Sequence, residues 1–131
     1  MPSKEIPGLK ARLDNVIYQF DPVNLQEDKP HAFIYFITIS NLSDRKVTLL
    51  GRKWIIENCD HSTHVIEGDK IVGKTPTLAP GENFSYNSYH VSDQNAHALG
   101  SFHGIDEFKE NIHVKLEPFH MKIPKNNYET D

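Results

Sequence analysis

Eight histidines in 131 residues raise metal coordination as the first chemistry to consider. They are His31, His61, His64, His90, His97, His103, His113 and His120. Imidazole is a common zinc ligand, and a closed zinc site takes four donors. His61 and His64 stand three apart across a polar turn, and His103, His113 and His120 could meet across strands. The chain has no His-Glu-x-x-His pair and no EF-hand spacing. Cys59 is the single cysteine, which excludes a thiolate-rich site and any disulfide within the chain. The histidines therefore read as surface and edge residues, with no metal and no cofactor, and Cys59 as structural. Hydrolytic chemistry fares no better, because there is no nucleophile elbow. Ser85, Ser88 and Ser101 lie in strand-like text without an organised partner. Asp106, Glu107 and Glu110 cluster in a turn, where acids are more often solvated than catalytic. A general acid and base need converging geometry, and no such pair stands out. The expectation is a protein that is not an enzyme.

The elements that would position these residues are short strands. Ala11, Leu13, Val16, Ile17, Tyr18 and Phe20 alternate imperfectly, which predicts a strand with a bulge near Asn15. Residues 21–30 are a polar loop bracketed by Pro22 and Pro30. Phe33, Tyr35, Ile37 and Ile39 share one parity of the clearest strand, and its second face is apolar too, as in a central strand. Residues 41–46 form a turn. Val47 starts a strand that continues through Trp54 to Ile56, with a bulge or change of sheet at Gly51. Further strands are expected at His64–Ile66, Thr75–Leu78, Phe84–Tyr89, Leu99–Gly104, and from Ile112 in one run to about Ile123. Ile71 and Val72 read as extended, Pro80-Gly81 as a turn, and 90–97 as a polar loop. Trp54, Phe102 and Phe119 are assigned to the core. Arg52 shares the parity of Trp54 and is placed to bond loop carbonyls. Tyr86 shares the parity of Phe84, ring inward and hydroxyl toward a loop.

Seven to nine such strands, with turns every 8–15 residues and no amphipathic helix, predict an all-β fold of two packed antiparallel sheets. Residues 1–9 are set apart as a flexible N-terminal segment, 10–124 as the domain and 125–131 as a tail. The composition is 37% hydrophobic and 24% charged, which suits a globular chain with its own core. A net charge of −4 gives no general attraction to nucleic acid or anionic membrane, so neither is an expected partner. The longest apolar run, residues 32–39, is far short of the roughly twenty residues that span a bilayer. MPSKEIPGLK lacks a signal-peptide core, which points to the cytoplasm.

Five segments in order carry a resemblance to a known family. They are the FIYFITISN strand at 33–41, GRKWII at 51–56, EGDKIVGKTP at 67–76, LAPGENFSYNS at 78–88, and LGSF at 99–102 followed by EPFHM at 117–121. Together they resemble the bacterial ApaG proteins and the ApaG-type domain of some eukaryotic F-box and polymerase-associated proteins. Arg52, Trp54 and Ile56 match the family's Arg-x-Trp-x-Ile signature. With Pro80, Gly81, Phe84, Tyr86, Gly100, Phe102, Pro118 and Phe119, Arg52 and Trp54 make up the structural signature of the chain. The resemblance implies an immunoglobulin- or fibronectin-type-III-like β-sandwich. It also implies association with cobalt and magnesium tolerance and dinucleoside polyphosphate metabolism in bacteria, and protein recognition in eukaryotes.

The family's glycine segment resembles Gly-x-Gly-x-x-Gly and here reads Gly68-Asp69-Lys70-Ile71-Val72-Gly73. A dinucleotide fingerprint needs close backbone approach to pyrophosphate and a helix N-terminus behind it. Lys70 stands where the middle glycine belongs, and Pro76 opposes a helix. A looser anion site would use turn N–H groups with Lys70 and Lys74, against the charges of Glu67 and Asp69. Gly68, Lys70, Gly73 and Lys74 are thus the candidate ligand loop, for a weak phosphate or nucleotide ligand, beside the plainer reading of a structural turn. The expected function is a binding domain whose partner is another protein, through exposed edges or the loops 21–30, 67–76 and 90–97. A small-ligand protein for nucleotide or divalent cation is the alternative, and free edges also allow a homodimer.

Overall fold

The computed structural model describes residues 2–25 and 28–125. The chain is all-β: β1 (Leu9–Phe20), β2 (His31–Asn41), β3 (Val47–Asn58), β4 (Thr63–Asp69), β5 (Thr77–Leu78), β6 (Asn83–Ser92), β7 (Ala96–Asp106), β8 (Asn111–Lys115) and β9 (Phe119–Met121). One sheet has the order β1-β2-β6 and the other β4-β3-β7-β8, with β5 added to β3 and β9 to β7. All strand pairs are antiparallel. No helix among the described residues is long and apolar enough to cross a membrane.

Each sheet carries a bulge that corrects the phase of its hydrophobic pattern. In β1 the register shifts between Leu13 and Asn15. Because side chains alternate with a period of two, one extra residue exchanges the faces. Ala11 and Leu13 before the shift, and Val16 and Tyr18 after it, therefore all pack on the core. In β3 the shift falls between Leu49 and Gly51. Val47 and Leu49 point inward before it, Trp54 and Ile56 after it, and all four are buried.

The core lies between the sheets. Phe33, Tyr35, Ile37 and Ile39 of β2 face Trp54 of β3, Phe102 of β7 and Ile112 of β8, all buried. Its centre is aromatic: the Tyr35 and Trp54 ring centroids are 4.9 Å apart, and Trp54 stands edge-on to Phe102 at 6.4 Å and to Phe119 at 6.0 Å. Such tilted and edge contacts suit the ring quadrupoles and add to area burial.

Several expectations change. The N-terminal segment, set apart as flexible, is tied to the domain. Lys4 accepts from His113 N at 3.0 Å and donates to Asn111 O at 3.1 Å, so it covers the outer edge of β8, and Ile6 is buried. The single run expected from Ile112 to Ile123 is two strands, β8 and β9, both paired to β7. Pro118 stands between them and has no N–H to donate, which breaks the ladder there. The loop expected at 90–97 shrinks to 93–95, because polar His90, Ser92 and His97 belong to strands. The tail beyond residue 125 lies outside the described residues.

Candidate functional site

Arg52 organises the segment that carries the glycine pattern. It follows the β3 bulge, and its Nη1 donates to Asp69 O at 2.9 Å and Lys70 O at 3.2 Å. Gly68 makes room for it: a Cβ built at Gly68 would come within 2.5 Å of Arg52 Nη1. That close approach accounts for the glycine without any ligand. Beyond it, Lys70 has φ 70° and donates its N–H to Leu50 O. Ile71 and Lys74 exchange backbone hydrogen bonds around a two-residue turn, Val72-Gly73, with φ 49° and 77°. Val72 is therefore in the left-handed region, where a β-branched residue is strained. The extended reading of Ile71 and Val72 fails because Ile71 is drawn into the core and the chain must reverse at once.

This geometry bears on the candidate loop. The N–H groups of Lys70, Ile71 and Lys74 are committed to backbone carbonyls and do not converge on a ligand position. The short strand β5 follows rather than a helix, so there is no helix dipole behind the turn. Lys70 and Lys74 are exposed, and the nearby Arg52 is engaged by carbonyls.

The other signature residues sit in structural roles. Pro80-Gly81 is the turn into β6, with Gly81 at φ 93° and Glu82 N bonded to Ala79 O at 3.0 Å. Phe84 and Tyr86 stack at 5.8 Å, and both pack against the core. Burial raises the Tyr86 phenol pKa above its ordinary value. Gly100, Phe102 and Phe119 are buried, and Pro118 is exposed.

The histidines divide differently from the expectation. His31 and His90 are buried rather than on the surface. His31 Nδ1 is 2.7 Å from Tyr18 Oη, and burial lowers its pKa below the usual histidine value. His90 lies among Tyr35 and Trp54, each ring 4.8 Å away, and its Nε2 has no hydrogen-bond partner. Burial lowers its pKa to about 4. Cys59 is exposed, with Sγ 3.2 Å from Gln94 Oε1. Asp106 is buried rather than solvated, accepting from Arg45, Phe108 N and Glu110 N, and so pins the turn after β7. Among the described residues no group of three or more His, Cys, Asp or Glu side chains is arranged to hold a metal ion.

The feature best suited to contact lies where the two sheets part. β4 is an edge of the larger sheet and β6 an edge of the smaller one. Between them runs a cleft of about 570 Å³, lined by His64, Val65 and Ile66 of β4 and by Tyr89, His90 and Val91 of β6. Val65 is 60% exposed, Ile66 41% and Tyr89 57%. The opposite edge of the larger sheet is covered by the N-terminal segment at Lys4. The sequence places Val65 and Ile66 in a short strand, and an apolar pair in a strand looks the same whether or not a second sheet covers it.

An all-β domain of two antiparallel sheets, with an Arg-anchored turn and open edges at β4 and β6, is the class these observations define. The chain belongs to the ApaG domain family: residues 23–127 match the family pattern. It is 37% identical over 94 residues to Protein ApaG of Vibrio cholerae serotype O1, covering 71% of this chain and 75% of that protein. Among solved structures it is similar to a structural-genomics target determined by X-ray crystallography, with TM-score 0.81 and 27% identity over 91% of this chain and 89% of that one. A Bordetella pertussis protein assigned as ApaA superposes with TM-score 0.74 at 24% identity, over 95% of this chain and 99% of that one. At that identity the second likeness is one of fold alone.

Proposed function

We propose that this ApaG domain is a non-enzymatic, cytoplasmic protein-interaction module on an immunoglobulin- or fibronectin-type-III-like sandwich. Its partner is an extended segment of another polypeptide, laid along the open side between β4 and β6. The observation that carries the proposal is the pair of uncovered edges flanking a cleft of mixed lining, in which Val65, Ile66 and Tyr89 stand beside polar Asn58, Ser88 and Asp93. An edge strand presents unpaired N–H and C=O groups that an extended peptide can complete, and flanking apolar side chains give selectivity. Exposed Val65, Ile66 and Tyr89 supply that apolar contact, and the backbone of β4 or β6 supplies the ladder. Net charge −4 favours a partner segment that is neutral or basic.

The test is affinity capture with the intact domain, repeated with a Val65→Lys/Tyr89→Lys variant and with residues 67–76 scrambled. Both lysines replace exposed side chains, so the fold should persist, as circular dichroism would verify. A specific partner captured by the parent and lost with the lysine variant supports edge docking. Retention by that variant with loss on scrambling would move the contact to the loop. A homodimer would appear as self-association abolished by the same lysines.

A further inference from the structure

We propose that His97 and His120 form a two-histidine site for a divalent transition-metal ion on the outer face of the larger sheet. The site is separate from the β4–β6 cleft and does not depend on the interaction role. His97 of β7 and His120 of β9 are direct cross-strand partners. Their neighbours Ala96, Ala98, Phe119 and Met121 are buried, so strand alternation sends both imidazoles outward from anchored backbone. The rings lie 4.2 Å apart between centroids at 59°, and the two Nε2 atoms are 3.4 Å apart. That separation is long for a hydrogen bond between ring nitrogens. It matches what a shared ion requires: two nitrogens each ~2.05 Å from a tetrahedral centre lie about 3.3–3.4 Å apart. An ion on both lone pairs would also set the ring centroids about 5 Å apart, so from 4.2 Å the two imidazoles must swing apart by about 1 Å to chelate.

The surroundings favour a cation. Glu57 of β3 is the register partner of His97 and is also exposed, placing a carboxylate beside the pair. The pair lines an open hollow of about 500 Å³ shared with Glu57, Cys59 and His61, so water can complete the coordination sphere. With two protein ligands the site is open and exchangeable rather than structural. Imidazole donors select zinc, nickel and copper, with copper(II) held most tightly, and disfavour magnesium and calcium, which take oxygen ligands. The second cross-strand pair, His103 and His113, is an internal control, because the His103 ring lies over Gly51 of β3, its Nε2 within 2.4 Å of a Cβ built there.

The experiment uses the full chain at neutral pH, titrated with zinc chloride and separately with copper(II) chloride. Binding is followed by calorimetry, and zinc also by histidine side-chain ¹⁵N shifts. Saturable one-to-one binding is expected, with Nε2 of both His97 and His120 shifting together and magnesium producing no shift. His97→Ala, His120→Ala and the size-conserving His120→Gln should each weaken binding at least tenfold. His103→Ala should leave it within twofold. Amide spectra of each variant report that the sheet is intact. The proposal is overturned if millimolar zinc leaves either Nε2 unshifted, or if His97→Ala or His120→Gln binds as the parent does. A loss in His103→Ala as large as in His97→Ala would also overturn it.

Discussion

The ring of Trp54 lies over the backbone of Gly100, its direct partner across β3 and β7: a Cβ built at Gly100 would come within 2.6 Å of Trp54 Cζ3. The indole can reach Tyr35, His90 and Phe119 only because nothing projects from position 100. Gly100→Ala should therefore push the indole off its packed position. Overpacking of this kind costs about 1–3 kcal/mol. Urea denaturation should show that loss with an unchanged m-value.

His90 makes stability depend on pH. Its pKa in the folded protein is about 4, against an ordinary value of 6.5, because burial penalises the imidazolium. Between those values the unfolded chain binds the proton and the folded one does not. Stability is thus fully present above about pH 6.5 and falls as pH drops toward 4. The span corresponds to roughly 3 kcal/mol. His31 is lowered in the same direction and adds to the slope. His90→Phe, which also removes the unpartnered Nε2, should flatten the curve of unfolding free energy from pH 7 to pH 4. A slope unchanged by the substitution would exclude His90 as its source.

Arg52 holds the end of β4 through two carbonyls. Arg52→Ala should cost roughly 1–2 kcal/mol, the scale of hydrogen bonds from a charged donor at a partly exposed site. Amide exchange should accelerate most at residues 70–74, whose backbone bonds close the adjoining turn.

Val72 at φ 49° is the reverse case. Val72→Asn places a residue that tolerates the left-handed region at an exposed turn and should stabilise the domain by about 0.5–1 kcal/mol. Chemical denaturation of the single variant measures it, and a loss of stability would contradict the strain.

The sequence was most legible where local chemistry decides the outcome. The bulge near Asn15 showed as a break of alternation, Gly51 as an interruption that read as a bulge or a change of sheet, and Pro80-Gly81 as a turn. Trp54, Phe102 and Phe119 were legible as core because large apolar residues in strands seldom find another place. What escaped depends on which strands become neighbours. Lys4 and Ile6 look like a frayed terminus until β8 is known to lie beside them. Val65 and Ile66 read only as a short strand, and that β4 is an edge shows in the sheet order alone. His90 looks like a surface histidine until Tyr35 and Trp54 enclose it. His97 and His120, 23 positions apart, meet only through the β7–β9 register. The glycine pattern at 68–73 was legible as a pattern, but its cause was not: Gly68 admits the Arg52 guanidinium.

The open side between β4 and β6 is where we propose that another polypeptide docks. The most direct measurement is photo-crosslinking in cells with benzoylphenylalanine placed singly at Tyr89, at Val65, or at Phe108, an exposed residue in the turn after β7. Adducts to a discrete second polypeptide at Tyr89 and Val65, and none at Phe108, are the predicted result. No adduct at Tyr89 and Val65, or the same adducts at all three positions, would contradict it.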